Sequence, residues 1–495
     1  MVYQPLVSPL RLADVALDPL FASFYKTYIQ EPVGTVALIN DEPDSARVAL
    51  GFLLPDWMRR PSQQELVLPP QSRRTVPLYV ALEAAVLDLE DRVEVPAEIT
   101  LSFASGDETI AIQKTADLSI YGRGALTWNS VGRAAAFITS TDPSVTALAR
   151  SMLVAFEEQA QVLGRPGQNL LRALVLFEAL KQHGVRYLPD ANTPYSQIRA
   201  ARTAVDHIQY PAQLLHSKAG DCDDLTVLYA SLLENAGVAT ALVDYPGHIF
   251  LLFDTGVARR QAYQLPLAPK RYVVRGDRLW IPVEVTQLDQ SFLQAWQTGL
   301  DALGTLGASA LKERVVDTAV AWEQFPAASP DFEESVVGPA AQTLQTAFTD
   351  QSRTLQNRID AYIDETYLDR LQSEPDNDRL RTQLLKVYLA LGQSDKAIEQ
   401  GGTYLLDERG DQAATLTHLG NAYAMQGNMT QAALYYKQAL ALRPADAGVQ
   451  RNLALALQAL GRSQAAPADS LALASTEGPK TGSTGLSVDS FYWME

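Results

Sequence analysis

Cys222 is the single cysteine among 495 residues. It stands in "HSKAGDCDDLTVLYASLLENAGV" (216–238), flanked by Asp221, Asp223 and Asp224. The apolar spacing after it predicts a helix that opens at Cys222 and is capped by Gly237. A thiol at a helix N-terminus lies at the positive end of the helix dipole, which favours the nucleophilic thiolate. The aspartates suit the same dipole but oppose the thiolate, so a histidinium must offset them. The other reading of Cys222 is a small buried hydrophobe.

A general base has five candidates: His183, His207, His216, His248 and His418. His418 falls among predicted helical repeats. His183 precedes a helix C-cap and complements its dipole. His207 and His216 lie in the approach to Cys222. His248 follows Pro246-Gly247 and opens the apolar strand "HIFLLF", where the other reading is a satisfied edge histidine. A third group must orient the imidazole. Asp254 shares its strand face, but six residues at about 3.3 Å each put it about 20 Å away. The orienter must therefore come from another strand. "RLWIPVEVT" offers Glu284, a carboxylate in an apolar strand that needs a partner if buried. The other reading is that Glu284 faces solvent on an edge strand.

Together "GDCDDLTVLYASLLENAGV", "PGHIFLLF" and "LWIPVEVT" resemble the transglutaminase-like superfamily, over roughly residues 143–300. The match places Cys222 as nucleophile, His248 as base and Glu284 as orienter, where the family more often has aspartate. The resemblance implies a papain-like acyl transfer on protein or peptide amides with no required cofactor. Cys222 attacks, His248 carries the proton and Glu284 holds the tautomer. The Cys222 backbone N–H would form part of the oxyanion hole, with Gln213 or Gln209 of "IQYPAQLLHS" as a second donor. Some members bind calcium beside the cysteine, which here implicates Asp221 and Asp223. Helix capping is the other reading of these aspartates. Water as acceptor makes a peptidase or amidase, an amine makes a transferase, and both stay open.

The positioning elements read as a multidomain chain. Residues 1–20 read as a lead-in. Residues 21–120 hold short Val-, Ile- and Thr-rich runs, an N-terminal β-sandwich of Ig-like type. Residues 121–142 read as a linker. Residues 143–335 run from helices to strands, an α+β transglutaminase-like catalytic domain. Residues 336–465 read as helical. Leu419-Gly420, Tyr423, Ala432, Tyr436, Ala439 and Pro444 resemble a tetratricopeptide (TPR) repeat, with Gly392, Gly427 and Gly461 marking successive turns. The tail 466–495, rich in Ala, Ser, Thr and Gly, is expected to be disordered. Its closing "FYWME" reads as a docking peptide.

A net charge of −17 with 47% apolar residues fits a globular protein that repels phosphate backbones, so no nucleic-acid partner is expected. No apolar run suits a transmembrane segment. One cysteine excludes an internal disulfide. The N-terminus lacks the features of a signal peptide, whereas the resemblance implies bacterial envelope proteins, which leaves the compartment open. A TPR groove implies a protein partner besides the protein or peptide substrate. The competing function is a catalytically silent envelope scaffold that binds partners through its TPR and Ig-like domains.

Overall fold

The structure is a computed structural model that describes residues 8–105, 107–156, 167–189, 204–306, 313–332, 336–408 and 410–465. The expected disordered tail with its "FYWME" peptide lies outside these residues. Two compact units emerge. One combines Met1–Val154, Val175–Phe253 and Pro282–Leu344, and the other Ala155–Leu174, Asp254–Ile281 and Gln345–Glu495.

In the first unit the N-terminal strands form two sheets. Strands β1 (Leu10–Leu17), β3 (Gly34–Asn40) and β6 (Ser72–Leu78) lie in the order β1-β3-β6. Strands β2 (Leu20–Phe21), β4 (Ala46–Leu53), β5 (Ser62–Leu68), β7 (Val93–Ser105) and β8 (Glu108–Tyr121) lie in the order β2-β8-β7-β4-β5. Alternation sends Val48, Leu50 and Phe52 of β4 and Ala97, Ile99 and Leu101 of β7 inward. The turn between β5 and β6 passes from one sheet to the other rather than closing a hairpin. The stretch expected to be a lead-in contains β1, whose alternating "LRLADVAL" pairs antiparallel with β3.

The stretch expected to be a linker is buried. It forms β9 (Ala125–Thr127) and a 3-10 turn, Val131–Phe137. Trp128 is fully buried and donates its indole N–H to Asp206 at 2.6 Å. Ala134, Ala135, Ala136, Phe137 and Ile138 are fully buried too. Small residues packed on all sides carry no amphipathic period, which is why this segment reads as a linker.

The central elements are α1 (Pro143–Ala155), α2 (Gln168–His183), β10 (Arg186–Tyr187), β11 (Val205–His207), α3 (Pro211–Ser217), β12 (Ala219–Gly220) and α4 (Cys222–Asn235). There follow β13 (Thr240–Tyr245), β14 (His248–Ala258), β15 (Val273–Arg275), β16 (Arg278–Val283), α5 (Phe292–Gly304), β17 (Val315–Asp317) and α6 (Thr318–Gln324). The main sheet has the order β15-β16-β14-β13-β17. Every residue of α4 from Cys222 to Leu233 is buried. Phe177 stands edge-on to Tyr229 and Phe292, and Phe292 meets Phe253 and Trp296. This aromatic cluster holds α4 rigidly in the core.

The second unit is mainly helical: α7 (Ala341–Ile363), α8 (Asp369–Ser373), α9 (Asp378–Ala390), α10 (Ser394–Leu406), α11 (Gln412–Met425), α12 (Met429–Leu442) and α13 (Ala447–Ala465). The first helices of successive pairs start at Asp378, Gln412 and Ala447, 34 and 35 residues apart. A Cβ on Gly420 would stand 2.4 Å from a Tyr436 ring carbon, so only glycine permits this approach of α11 and α12. The Tyr436 hydroxyl and the Asn452 amide both donate to the Asn421 side-chain oxygen, at 2.8 and 3.0 Å. Gly392 and Gly427 end their helices at positive φ. Gly461, expected at a third turn, instead lies inside α13. A helix tolerates one glycine at a cost of about 1 kcal/mol, so its spacing alone is a poor turn signal. No helix among the described residues is long and apolar enough to cross a membrane.

His418 is buried in α11, and neither ring nitrogen has a hydrogen-bond partner. Burial first, and then the Lys386 charge, pull it down to about 3. Unfolded, it titrates near 6.5. The unfolded state therefore takes up the proton first as pH falls below that value, and stability is lost on the way down. At about 1.36 kcal/mol per pH unit, roughly 2 kcal/mol is lost by pH 5. His418→Leu should abolish this loss, read as the difference between urea-unfolding curves at pH 7.5 and pH 5.

Candidate active site

Cys222 opens α4 as the sequence predicts. Asp221 is the N-cap, accepting from the backbone N–H of Asp223 (3.2 Å) and Asp224 (3.5 Å), while Asp224 accepts from the Asp221 N–H at 3.3 Å. This reciprocal box satisfies donors that the first helical turn leaves orphaned. A Cβ on Gly220 would stand 2.7 Å from both Asp224 Cβ and Leu214 Cδ1, so the approach to Cys222 requires glycine. Gln209 clamps the other side. Its backbone N–H donates to Asp224 Oδ1 (2.7 Å), and its amide donates to Asp224 Oδ2 (2.7 Å) and Ala219 O (3.0 Å). The Gln213 side-chain oxygen accepts from the Tyr210 N–H at 3.1 Å, starting α3. Both amides considered as oxyanion donors thus take part in building the approach to Cys222, and the Gln209 amide hydrogens are engaged there.

Two contacts join α4 to the start of β14. The Thr226 hydroxyl donates to Ile249 O at 3.2 Å, and the Ile249 backbone lies near enough to Cys222 to favour its thiolate. Ile249 follows His248, which pairs with Tyr245 across the two-residue turn Pro246-Gly247. His248 Nε2 bonds Glu284 Oε2 at 2.7 Å. The second carboxylate oxygen, Oε1, accepts from the Thr286 N–H (3.2 Å) and hydroxyl (2.6 Å). Glu284 is 5% exposed, so it does not face solvent. Its place differs from the mid-strand expectation: it follows the end of β16 and caps the turn Val285–Gln287. The turn frees its side chain from sheet alternation and lets it reach His248. Asp254 is held by Arg278 at 2.9 Å and by the Gly256 N–H at 2.8 Å. Of the other histidines, His183 bonds Leu215 O at 2.9 Å, and His207 packs against Gly124.

The field around the thiol is negative. Burial, then Asp223, then Asp221 push the Cys222 thiol above its ordinary value, and Glu284 adds to this; the Ile249 backbone opposes it. Asp223 is itself pushed up by burial and by Asp221. Burial and Asp221 push Asp224 up to about 7 against the hydrogen bonds from Gln209. In a His248→Ala background, where no base takes the thiol proton, Asp223→Asn should therefore lower the thiol pKa and speed alkylation of Cys222 by iodoacetamide at pH 8 by about 3- to 10-fold, since each pKa unit is worth tenfold in thiolate.

Tyr187 escapes the sequence argument. Burial raises its hydroxyl, followed by the fields of Cys222, Asp221, Glu284 and Asp223, so the ring shares their surroundings. The signal lay in "GVRYLPD" after the Gly184 cap, but a two-residue strand has no readable period.

The carboxylates of Asp221, Asp223 and Asp224 each offer an oxygen within 4.8 Å of the others, all buried. Asp223 Oδ2 has no hydrogen-bond partner, while both Asp224 oxygens are taken by Gln209. Hard oxygen donors of this kind suit a divalent cation, with Asp221 and Asp223 as the pair left to hold it.

No family model matches this chain, and none of the curated proteins matches it. Among solved structures, trypsin-activated alpha-2-macroglobulin from Escherichia coli aligns at 14% identity with a TM-score of 0.17, over 93% of this chain and 26% of that one. The chain thus spans about a quarter of that protein, and so low a score carries no argument about fold or function.

Proposed function

We propose that this chain is a transglutaminase-like cysteine hydrolase or acyltransferase acting on protein or peptide amides through Cys222, His248 and Glu284. The observation that carries this is the 2.7 Å bond from Glu284 to His248 Nε2, with His248 next in sequence to Ile249, whose carbonyl accepts from Thr226 on the helix that Cys222 opens. With Nε2–H donated to Glu284, Nδ1 is the basic nitrogen. It takes the thiol proton, the sulfur attacks the amide carbonyl carbon, and the imidazolium protonates the departing amine. Water or an amine then releases the acyl group from the thioester. The Cys222 backbone N–H at the helix start serves the oxyanion. If calcium binds, Asp221 and Asp223 hold it, and its charge offsets the field that keeps the thiol protonated. The N-terminal sheets act as an Ig-like module, and the helical repeats as a TPR-like platform for a protein partner.

The test is turnover of casein in the presence and absence of a fluorescent primary amine. Amine incorporation identifies a transferase and new amino termini a peptidase, each dependent on Cys222. A silent scaffold draws support from one observation, the buried thiol among aspartates. It is the correct reading if neither product forms and no ammonia is released.

A further inference from the structure

Among the described residues, strand β10 is paired along one edge only. The N–H of Arg186 donates to Lys218 O (2.9 Å) and that of Leu188 to Gly220 O (2.8 Å), with Tyr187 set opposite Gly220 in a parallel ladder. Alternate residues of a strand send their N–H and C=O to opposite edges. The backbone N–H and C=O of Tyr187 therefore face away from β12, and no described residue meets them. An unpaired edge of this kind is a template for another extended chain. It lies beside the reacting groups. Gly220 is two residues before Cys222, and β10 also packs on the turn Val285–Gln287 that follows Glu284. Tyr187 is 42% and Leu188 61% exposed, large apolar surface at the rim of a site whose nucleophile is 5% exposed.

We propose that Tyr187 is the docking residue for the acyl donor: an extended polypeptide segment pairs its backbone with the Tyr187 N–H and C=O and so lays its reacting amide over Cys222. The Tyr187 and Leu188 side chains project to opposite faces of the strand and receive apolar side chains of that segment. The substrate class is an extended, unstructured stretch of polypeptide with apolar residues, rather than a free amino-acid amide or a helix. This rests on the acyl-transfer reading above.

The experiment uses the full chain and three kinds of probe: acetyl-Leu-Phe-Gly vinyl sulfone, the same peptide N-methylated at each residue in turn, and iodoacetamide. Intact mass gives the rate of Cys222 labelling. N-methylation keeps the side chains and removes one backbone donor. The expected result is a loss of about 5- to 20-fold at the residue paired with Tyr187, the worth of one hydrogen bond with its partner left unmet, and less at the others. Equal rates for all peptides, with iodoacetamide labelling fast and dependent on His248, overturn the docking proposal and leave the enzyme reading standing. Slow iodoacetamide labelling that His248→Ala leaves unchanged overturns the enzyme reading and the docking proposal with it.

Discussion

Cys222→Ser is expected to lower acyl transfer by on the order of 10⁴-fold while the chain stays folded. The substitution is nearly isosteric at a buried position, so the packing around it is kept. The chemistry is another matter. Burial, Asp223 and Asp221 resist ionisation even of a thiol here. A hydroxyl is far harder to ionise than a thiol, and it meets the same low-dielectric, negative field. The comparison is of turnover on one peptide amide, with unfolding curves showing that the fold is retained.

Glu284→Gln should cost about 10²- to 10⁴-fold in kcat, with a smaller change in KM. In the native site one carboxylate oxygen serves Thr286 and the other accepts from His248 Nε2. A glutamine that keeps its oxygen toward the Thr286 donors must aim its NH2 at Nε2. The imidazole then accepts at Nε2 and carries its proton on Nδ1, the nitrogen that has to be basic. The flipped amide restores the tautomer but sets NH2 against the Thr286 N–H. Either arrangement leaves a buried donor unmet, so a stability loss of about 1–3 kcal/mol accompanies the kinetic one. Steady-state kinetics and urea unfolding measure the two separately.

The elements that carry Cys222 and His248 were legible because each makes a strong local pattern. The "GDCDD" run combines a glycine, an N-cap and the first turn of an apolar helix, and "PGHIFLLF" combines a two-residue turn with an apolar strand. Glu284 was legible as a residue but not as a place, since the end of β16 is set by its neighbours in the sheet and not by its own sequence. Tyr187 was missed for a related reason: it lies in a two-residue strand with no readable period, and its pairing partner Gly220 is distant in sequence. Gln209 read as one of two amides able to serve the oxyanion, yet Asp224 and Ala219 take its amide hydrogens. The helical repeats were recoverable from glycine and tyrosine spacing where a close approach demands it, as at Gly420, and misleading at Gly461, where nothing does.

In the proposed mechanism His248, held by Glu284, converts a thiol its surroundings keep protonated into a nucleophile. The pH dependence of Cys222 alkylation by iodoacetamide, in the wild-type chain and in His248→Ala, tests it most directly. The wild-type rate should already be high below pH 7, because His248 takes the thiol proton. In the variant the rate should climb only above pH 9, because burial, Asp223 and Asp221 hold the thiol above its ordinary value. Coincident profiles would contradict it.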